Sequence, residues 1–154
     1  MSIDPENHPR CVSNERTIHA PIEHVWKVLV DFERYPEWNP FTHGLETNRK
    51  VGGPVTLHVK LGGRNMTMHE QLTLWDEGRA VAWGLRWGGG KLIHCDRVQA
   101  LVRIDDHTTG YRCHEAFDGL LASLVYLLYR RPMQVGFDTA ADALKARAEA
   151  TFRA

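Results

Sequence analysis

From Gly52 to Phe117 the apolar residues recur at every second position, in runs punctuated by glycines and acidic turns. That period fits half-buried β-strands and no helix. Val55, Leu57, Val59 and Leu61 alternate with Thr56, His58 and Lys60, and Gly62-Gly63 turns the chain. Met66, Met68, Glu70, Leu72 and Leu74 follow on one face, and Asp76-Glu77-Gly78 turns it again. Val81, Trp83, Leu85 and Trp87 form the next apolar face, and Gly88-Gly89-Gly90 makes a hairpin. A strand from about Lys91 to Ile104, a turn at Asp105-Asp106-His107 and a last strand ending near Phe117 complete a series of hairpins, an antiparallel meander. Such a sheet has an apolar face that needs a cover.

The flanks supply it. Cys11 to Ile18 reads as a further strand. Pro21 suits the first position of a helix whose buried stripe is Ile22, Val25, Trp26 and Leu29. Asp31 is placed to cap a second, short helix limited by Pro36 and Pro40, so FERYPEWNPF forms a structured corner. Beyond Gly119 the spacing is helical, first through Leu120, Leu124, Leu127 and Leu128, then through Phe137, Ala141, Leu144 and Ala148. Pro132 predicts a kink or break near Arg130-Arg131, and Glu149 and Arg153 form an i,i+4 pair. The expected fold is α+β: a curved antiparallel sheet of about seven strands wrapped around a long C-terminal helix, with two short helices after the first strand. A cavity is expected between sheet and helix. Residues 1–10 carry Pro5, Pro9 and charges and are expected to be a loose tail; residues 11–154 are expected to form a single domain.

Charge narrows the partners. Lys+Arg and Asp+Glu both number 19, so the formal net charge is zero. A balanced chain has no large field to attract nucleic acid or acidic membranes, although a local patch is compatible with it. No nucleic-acid partner is expected. The three cysteines, Cys11, Cys95 and Cys113, are odd in number and lack CxxC spacing, which argues against a disulfide framework and a thiolate zinc site. The opening MSIDPENHPRCV is polar, so no signal peptide is expected, and no run approaches the roughly 18 apolar residues of a membrane span. The expected location is the cytoplasm, without membrane insertion. The nine histidines show no HxxxH, HExxH or facial-triad spacing, and GGGK at Gly88–Lys91 lacks the spacing of a phosphate loop. Neither metal nor cofactor is expected. A monomer and a weak homodimer both remain open.

APIEHVWKVLVDFERYPEWNPF, in this order of elements, resembles the START-like, birch-pollen-allergen-like helix-grip superfamily known as SRPBCC, and within it the polyketide cyclase/dehydrase-like bacterial branch. Val81-Ala82-Trp83 is similar to a strand motif of that branch. TGYRCHEAFDGLL resembles its last strand, ending Glu-x-Phe-x-Gly, and GFDTAADALKARAE its terminal helix. The resemblance spans roughly residues 12 to 150. It implies a deep cavity that takes a small apolar or amphipathic molecule. Members include aromatase/cyclases, carriers of lipids, sterols or quinones, and co-chaperone domains. Where related helices often carry Met-Asn, this chain has Ala140-Ala141, which implies a wider cavity beside them if they face the sheet.

Strand parity and the resemblance together place Trp38, Phe41, Leu57, Val59, Met66, Met68, Trp83, Leu85, Tyr111, Cys113, Phe117, Met133, Phe137, Ala140 and Ala141 on the cavity wall. Titratable groups on such faces are the candidates for chemistry. Glu70 is in phase with Met66, Met68, Leu72 and Leu74, and its alternative is a strand-end carboxylate or an ion pair with Arg16 or Arg86. Glu115 is in phase with Tyr111, Cys113 and Phe117, and its alternative is a structural tie to a neighbouring strand or to the first helices. His94 and Asp96 share a face with Leu92, Val98, Ala100 and Val102, unless exposure near the glycine hairpin removes them or a bulge flips the parity and brings Arg97 and Gln99 inward. Cys113 would be a nucleophile only with a base beside it, and the adjacent His114 points to the opposite face, so nucleophilic catalysis is not expected. Three functions compete: a small-molecule carrier, a cyclase or dehydratase working through Glu70, His94, Asp96 or Glu115, and a co-chaperone-like interaction module that would need an exposed apolar patch.

Overall fold

A computed structural model describes residues 7–153. Seven strands, β1 (Cys11–Ile18), β2 (Thr42–Thr47), β3 (Pro54–Leu61), β4 (Arg64–Asp76), β5 (Ala80–Trp87), β6 (Ile93–Asp105) and β7 (Thr108–Asp118), form one antiparallel sheet in the order β1-β7-β6-β5-β4-β3-β2. Helices α1 (Ile22–Val30) and α2 (Tyr35–Trp38) follow β1, and α3 (Ala122–Arg153) closes the chain. The sheet curls around α3, giving the helix-grip arrangement. β2 is the one strand that alternation does not outline, because a bulge at His43 breaks its register between Thr42 and Gly44.

The core lies between the sheet's concave face and α3. Val55, Leu57, Val59, Leu72, Val81, Trp83, Tyr111 and Phe117 meet Phe137, Ala141, Leu144 and Ala148 there. Gly136 on α3 lets the Phe41 ring lie against the helix backbone, and a Cβ there would sit 3.0 Å from the ring's Cγ. At the corner, Tyr35 donates a hydrogen bond from its hydroxyl to the Leu29 carbonyl at 2.6 Å and fixes the end of α1.

Four local expectations change. Asp31 makes no side-chain cap; it pairs instead with Arg34 at 3.4 Å. Pro21 is the N-cap of α1 rather than its first residue. α3 passes Pro132 without a break, because Met133, Gly136 and Phe137 are buried just beyond it and tertiary packing outweighs the missing backbone bond. The leucines at 120, 124, 127 and 128 lie outside the core, each at least half exposed. As for the expected tail, residues 1–6 lie outside the described residues, while His8 and Arg10 are tied to the end of β7 through Asp118 and the Phe117 carbonyl. Among the described residues no helix is long and apolar enough to cross a membrane.

Candidate functional site

Between the concave face and the first half of α3 lies a cavity of about 290 Å³. The turns joining β3 to β4 and β5 to β6, together with the start of α3, gather at one end of the sheet and frame its mouth. Met66, Trp87 and Tyr129 stand there, 38%, 60% and 39% exposed. Leu57, Val59, Met68, Leu85, Ile93 and Met133 line the shaft. Phe41, Thr42, Trp83, Arg97, Glu115 and Phe137 lie deeper, all buried, with Glu70 half-buried on the wall. The wall is therefore apolar from mouth to shaft, with a polar pole at its base.

Arg97 organises that pole. In the hydrogen-bonded register Trp83 lies opposite Arg97, and Arg97 opposite Glu115, so the three share the inner face. The guanidinium carbon sits 4.2 Å from the centre of the Phe137 ring, 5.5 Å from that of Phe41 and 6.0 Å from that of Trp83. This is a cation held by aromatic faces rather than by a contacting carboxylate. Its Nε donates to the Cys113 sulfur at 3.4 Å. Behind it the Tyr111 hydroxyl donates to Gln99 Oε1 at 2.8 Å. Thr42 Oγ1 and Gln99 Nε2 are buried without a hydrogen-bond partner.

Two carboxyl groups share the field of this cation. Burial pushes Glu70 well above the usual carboxylate range, and Glu115 raises it further while Arg97 opposes the shift. Burial also raises Glu115, again against the pull of Arg97. Two acids facing one cavity over one cation do not both ionise readily, so near neutrality the pair retains a proton. A folded state that holds a proton the unfolded chain releases above its ordinary value of 4.5 loses stability as pH rises from there through the folded value. Glu70→Gln is accordingly expected to leave stability near pH 5 unchanged, to raise it at pH 8 and to flatten the slope between. Urea unfolding across that range checks this; a slope equal to the parent's would remove Glu70 from the buried pair.

Of the residues expected on the wall, Phe41, Leu57, Val59, Met66, Met68, Trp83, Leu85, Phe117, Met133 and Phe137 line the cavity, as do Glu70 and Glu115. Trp38 does not: its ring packs on Tyr35 at 5.0 Å. Tyr111 and Cys113 lie behind Arg97 as its support. Ala140 and Ala141 are buried but off the cavity, one turn past Phe137, so they widen nothing. The room lies beside Val125, Tyr129 and Met133 instead. Neither Arg16 nor Arg86 pairs with Glu70; Arg16 binds Asp142 and Arg86 binds Asp96.

His94 and Asp96 fall on the outer face. There Asp96 takes two hydrogen bonds from Arg86, at 3.1 and 3.0 Å, and contacts His94 at 3.3 Å. The cause is pairing: Ile93–Ala100 run in unbroken register with β5 and His94–Arg103 with β7, which sets Arg97 opposite the inward Trp83 and Glu115. The bulge of β6, with Ile104 as its extra residue, lies past this stretch and leaves its parity intact. Ile93, Cys95, Arg97, Gln99 and Leu101 therefore point inward. A similar shift between Leu72 and Leu74 turns Leu74 outward and packs Trp75 against the core. Besides Arg97, the lining residues not expected on the wall are Thr42, Ile93, Cys95, Val125 and Tyr129, together with Leu61 and Trp87, which alternation had put on the apolar faces of their strands. The signal that finds Arg97 is pairing: once Trp83 and Glu115 face inward, the residue between them must too.

The family described as polyketide cyclase / dehydrase and lipid transport matches residues 9–149. No curated protein sequence matches the chain. Among solved structures, Zhui aromatase/cyclase from Streptomyces sp. R1128 is 22% identical, with 94% of this chain and 96% of that one covered and a TM-score of 0.77. A START superfamily protein from Mycobacterium smegmatis is 19% identical over 92% of this chain and 98% of that one, TM-score 0.71. Norcoclaurine synthase from Thalictrum flavum, a point mutant in complex with a transition-state analogue, is 13% identical over 92% and 94%, TM-score 0.69. At these identities the likeness is one of fold.

Proposed function

The chain belongs to the polyketide cyclase / dehydrase and lipid transport family, and we propose that it binds a compact amphipathic molecule in the cavity between sheet and α3. The supporting observation is the division of the wall. An apolar shaft leads to a base where Arg97, Glu70, Glu115 and the unpartnered Thr42 hydroxyl face the same space. A buried hydroxyl without a partner costs about 1–3 kcal/mol, which a ligand oxygen or a water would recover. At about 290 Å³ the cavity sits at the small end of the roughly 300–1,000 Å³ of ligand pockets. That size suits one or two fused rings bearing carbonyl or hydroxyl groups, with the oxygens seated at Arg97 and Thr42.

Binding is tested with the anionic dye anilinonaphthalene sulfonate, whose rings match the shaft and whose sulfonate matches Arg97. Dye fluorescence is expected to rise on addition to the protein. Leu85→Trp, which fills the shaft, is expected to weaken dye binding at least about tenfold with the melting temperature of the folded protein checked alongside. Equal dye binding by a folded Leu85→Trp variant would place the ligand elsewhere.

Catalysis is the second reading, and the shared proton of Glu70 and Glu115 supports it. An acid that keeps its proton near neutrality can donate to a ligand carbonyl while its ionised neighbour accepts from an adjacent carbon or water, the division of labour of general acid–base catalysis. His94 and Asp96, on the opposite face of the sheet, take no part.

A further inference from the structure

We propose that the mouth end of the domain docks on the surface of an anionic lipid bilayer. Three chain segments meet at this end. The β3–β4 turn approaches α3 at Pro132, 3.7 Å from the position of a Cβ on Gly62. The β5–β6 turn receives hydrogen bonds from the start of the last segment, Leu120 N–H to the Lys91 carbonyl and Leu121 N–H to the Leu92 carbonyl, both at 3.0 Å.

The rim these segments form is both apolar and cationic. Trp87, Leu120, Leu124, Leu127 and Leu128 are between 56% and 80% exposed. On α3 they continue at helical spacing through Leu124, Leu127, Leu128, Arg131 and Val135, a stripe turned away from the core. Lys60, Arg64, Lys91, Arg130 and Arg131 surround it, all exposed. None of the five forms an ion pair among the described residues, whereas Arg10, Arg16, Arg34, Arg49, Arg86, Arg103, Arg112, Lys145, Arg147 and Arg153 all do; of the other exposed cations, Lys27, Lys50 and Arg79 also form none. From Gly119 to Val135 the sequence has no Asp or Glu at all. In a chain of zero net charge, five of the eight exposed cations without an ion pair thus gather where the leucines protrude.

Exposed leucines and a tryptophan ringed by unpaired Lys and Arg are the composition of a surface that lies in the headgroup region, with apolar side chains in the acyl boundary and cations on lipid phosphates. Four leucines and a tryptophan projecting from the rim need no shape complement in a fluid bilayer. A second copy fits poorly, because two-fold pairing of this end brings five unpaired cations against the same five. The cavity opens through this rim by way of Met66, Trp87 and Tyr129, so docking would join the shaft to the lipid phase. The proposal extends the binding reading and fails separately from it, since vesicle binding reads the rim and dye binding reads the cavity.

The test is flotation of the full chain with phosphatidylcholine vesicles and with vesicles of phosphatidylcholine and phosphatidylglycerol, at low and high salt. Binding to the anionic vesicles, weakened by salt, is the expected result. Arg130→Glu/Arg131→Glu and Leu124→Ser/Leu128→Ser are each expected to reduce it at least about tenfold; both alter exposed side chains, and parental circular dichroism and melting confirm that they fold. No binding to anionic vesicles, equal binding to both vesicle types, or binding kept by either folded double variant would overturn the proposal. So would a dimer in light scattering that dissociates in the leucine variant, or binding to polyglutamate as tight as to vesicles and retained by that variant, which would assign the end to an acidic protein.

Discussion

Arg97→Met is expected to cost about 3 kcal/mol of stability near pH 8 and distinctly less near pH 5. The substitution keeps length and apolar contact with Phe41, Trp83 and Phe137 but removes the charge those rings hold. Glu70 and Glu115 would then face each other over the cavity with no cation to offset them. At pH 8 the folded chain must either bear a buried carboxylate pair or keep protons that the unfolded chain has released, and both weaken folding. At pH 5 the carboxyls are already protonated in the folded state, since burial raises both. What remains of the loss there is the cation–π contact, on the order of 2 kcal/mol for a desolvated site. Adding Glu115→Gln to Arg97→Met is expected to recover the electrostatic part of the loss at pH 8, about 1 kcal/mol. Urea unfolding of the single and double variants at both pH values checks this; an equal loss at the two pH values, with no recovery in the double variant, would show that Arg97 acts by packing alone.

Gly84→Ala is expected to be comparably damaging, about 3 kcal/mol, for a steric reason. Gly84 lies mid-strand on β5, directly opposite Asp96 on β6. A Cβ there would overlap the Cys95 carbonyl oxygen and Asp96 Oδ1 and come within 2.9 Å of the Asp96 Cα. Two of these are backbone atoms of the paired strand, so no rotamer relieves the contact. A glycine that lets neighbouring backbones approach this closely is a device for curling a sheet, and this one sits beside Trp83 on the strand that carries the cavity wall. The alanine variant should melt lower and, where still folded, bind the anionic dye less well, because flattening β5 against β6 moves Trp83 relative to Arg97. A melting temperature equal to the parent's would mean that the sheet absorbs the methyl group without loss of curl.

Much of the candidate site was legible in the alternation itself. Leu57, Val59, Met68, Trp83, Leu85 and Phe117 line the cavity because a strand with one buried face must present its apolar set inward. Glu70 and Glu115 were legible for the same reason, as carboxylates in phase with methionines, leucines and aromatics. Arg97 was harder to place. On β6 the outward set, Val98, Ala100 and Val102 with His94 and Asp96, is no less apolar than the inward set that contains Arg97 and Gln99. Hydropathy therefore favoured the wrong face, and only the register with β5 and β7, which sets Arg97 between Trp83 and Glu115, decides which way the strand turns. Register has no signature in composition; it is set by the sheet as a whole.

The helix shows the same division. Its spacing and length announced a cover for the sheet, and Phe137, Leu144 and Ala148 take that role. Spacing alone could not tell which of two apolar stripes on its first half would be buried, since Val125, Tyr129 and Met133 form one and Leu124, Leu127 and Leu128 the other. Packing turned the first toward the cavity and left the second in solvent. By itself, then, the sequence determined the element order, the antiparallel meander and the facing of β3, β5 and β7, because these follow from local periodicity and turn chemistry. The tertiary structure decided the parity of β6, the buried stripe of α3 and hence the polar base and cationic rim of the cavity. Each of those depends on which of two nearly equivalent surfaces the rest of the molecule packs against.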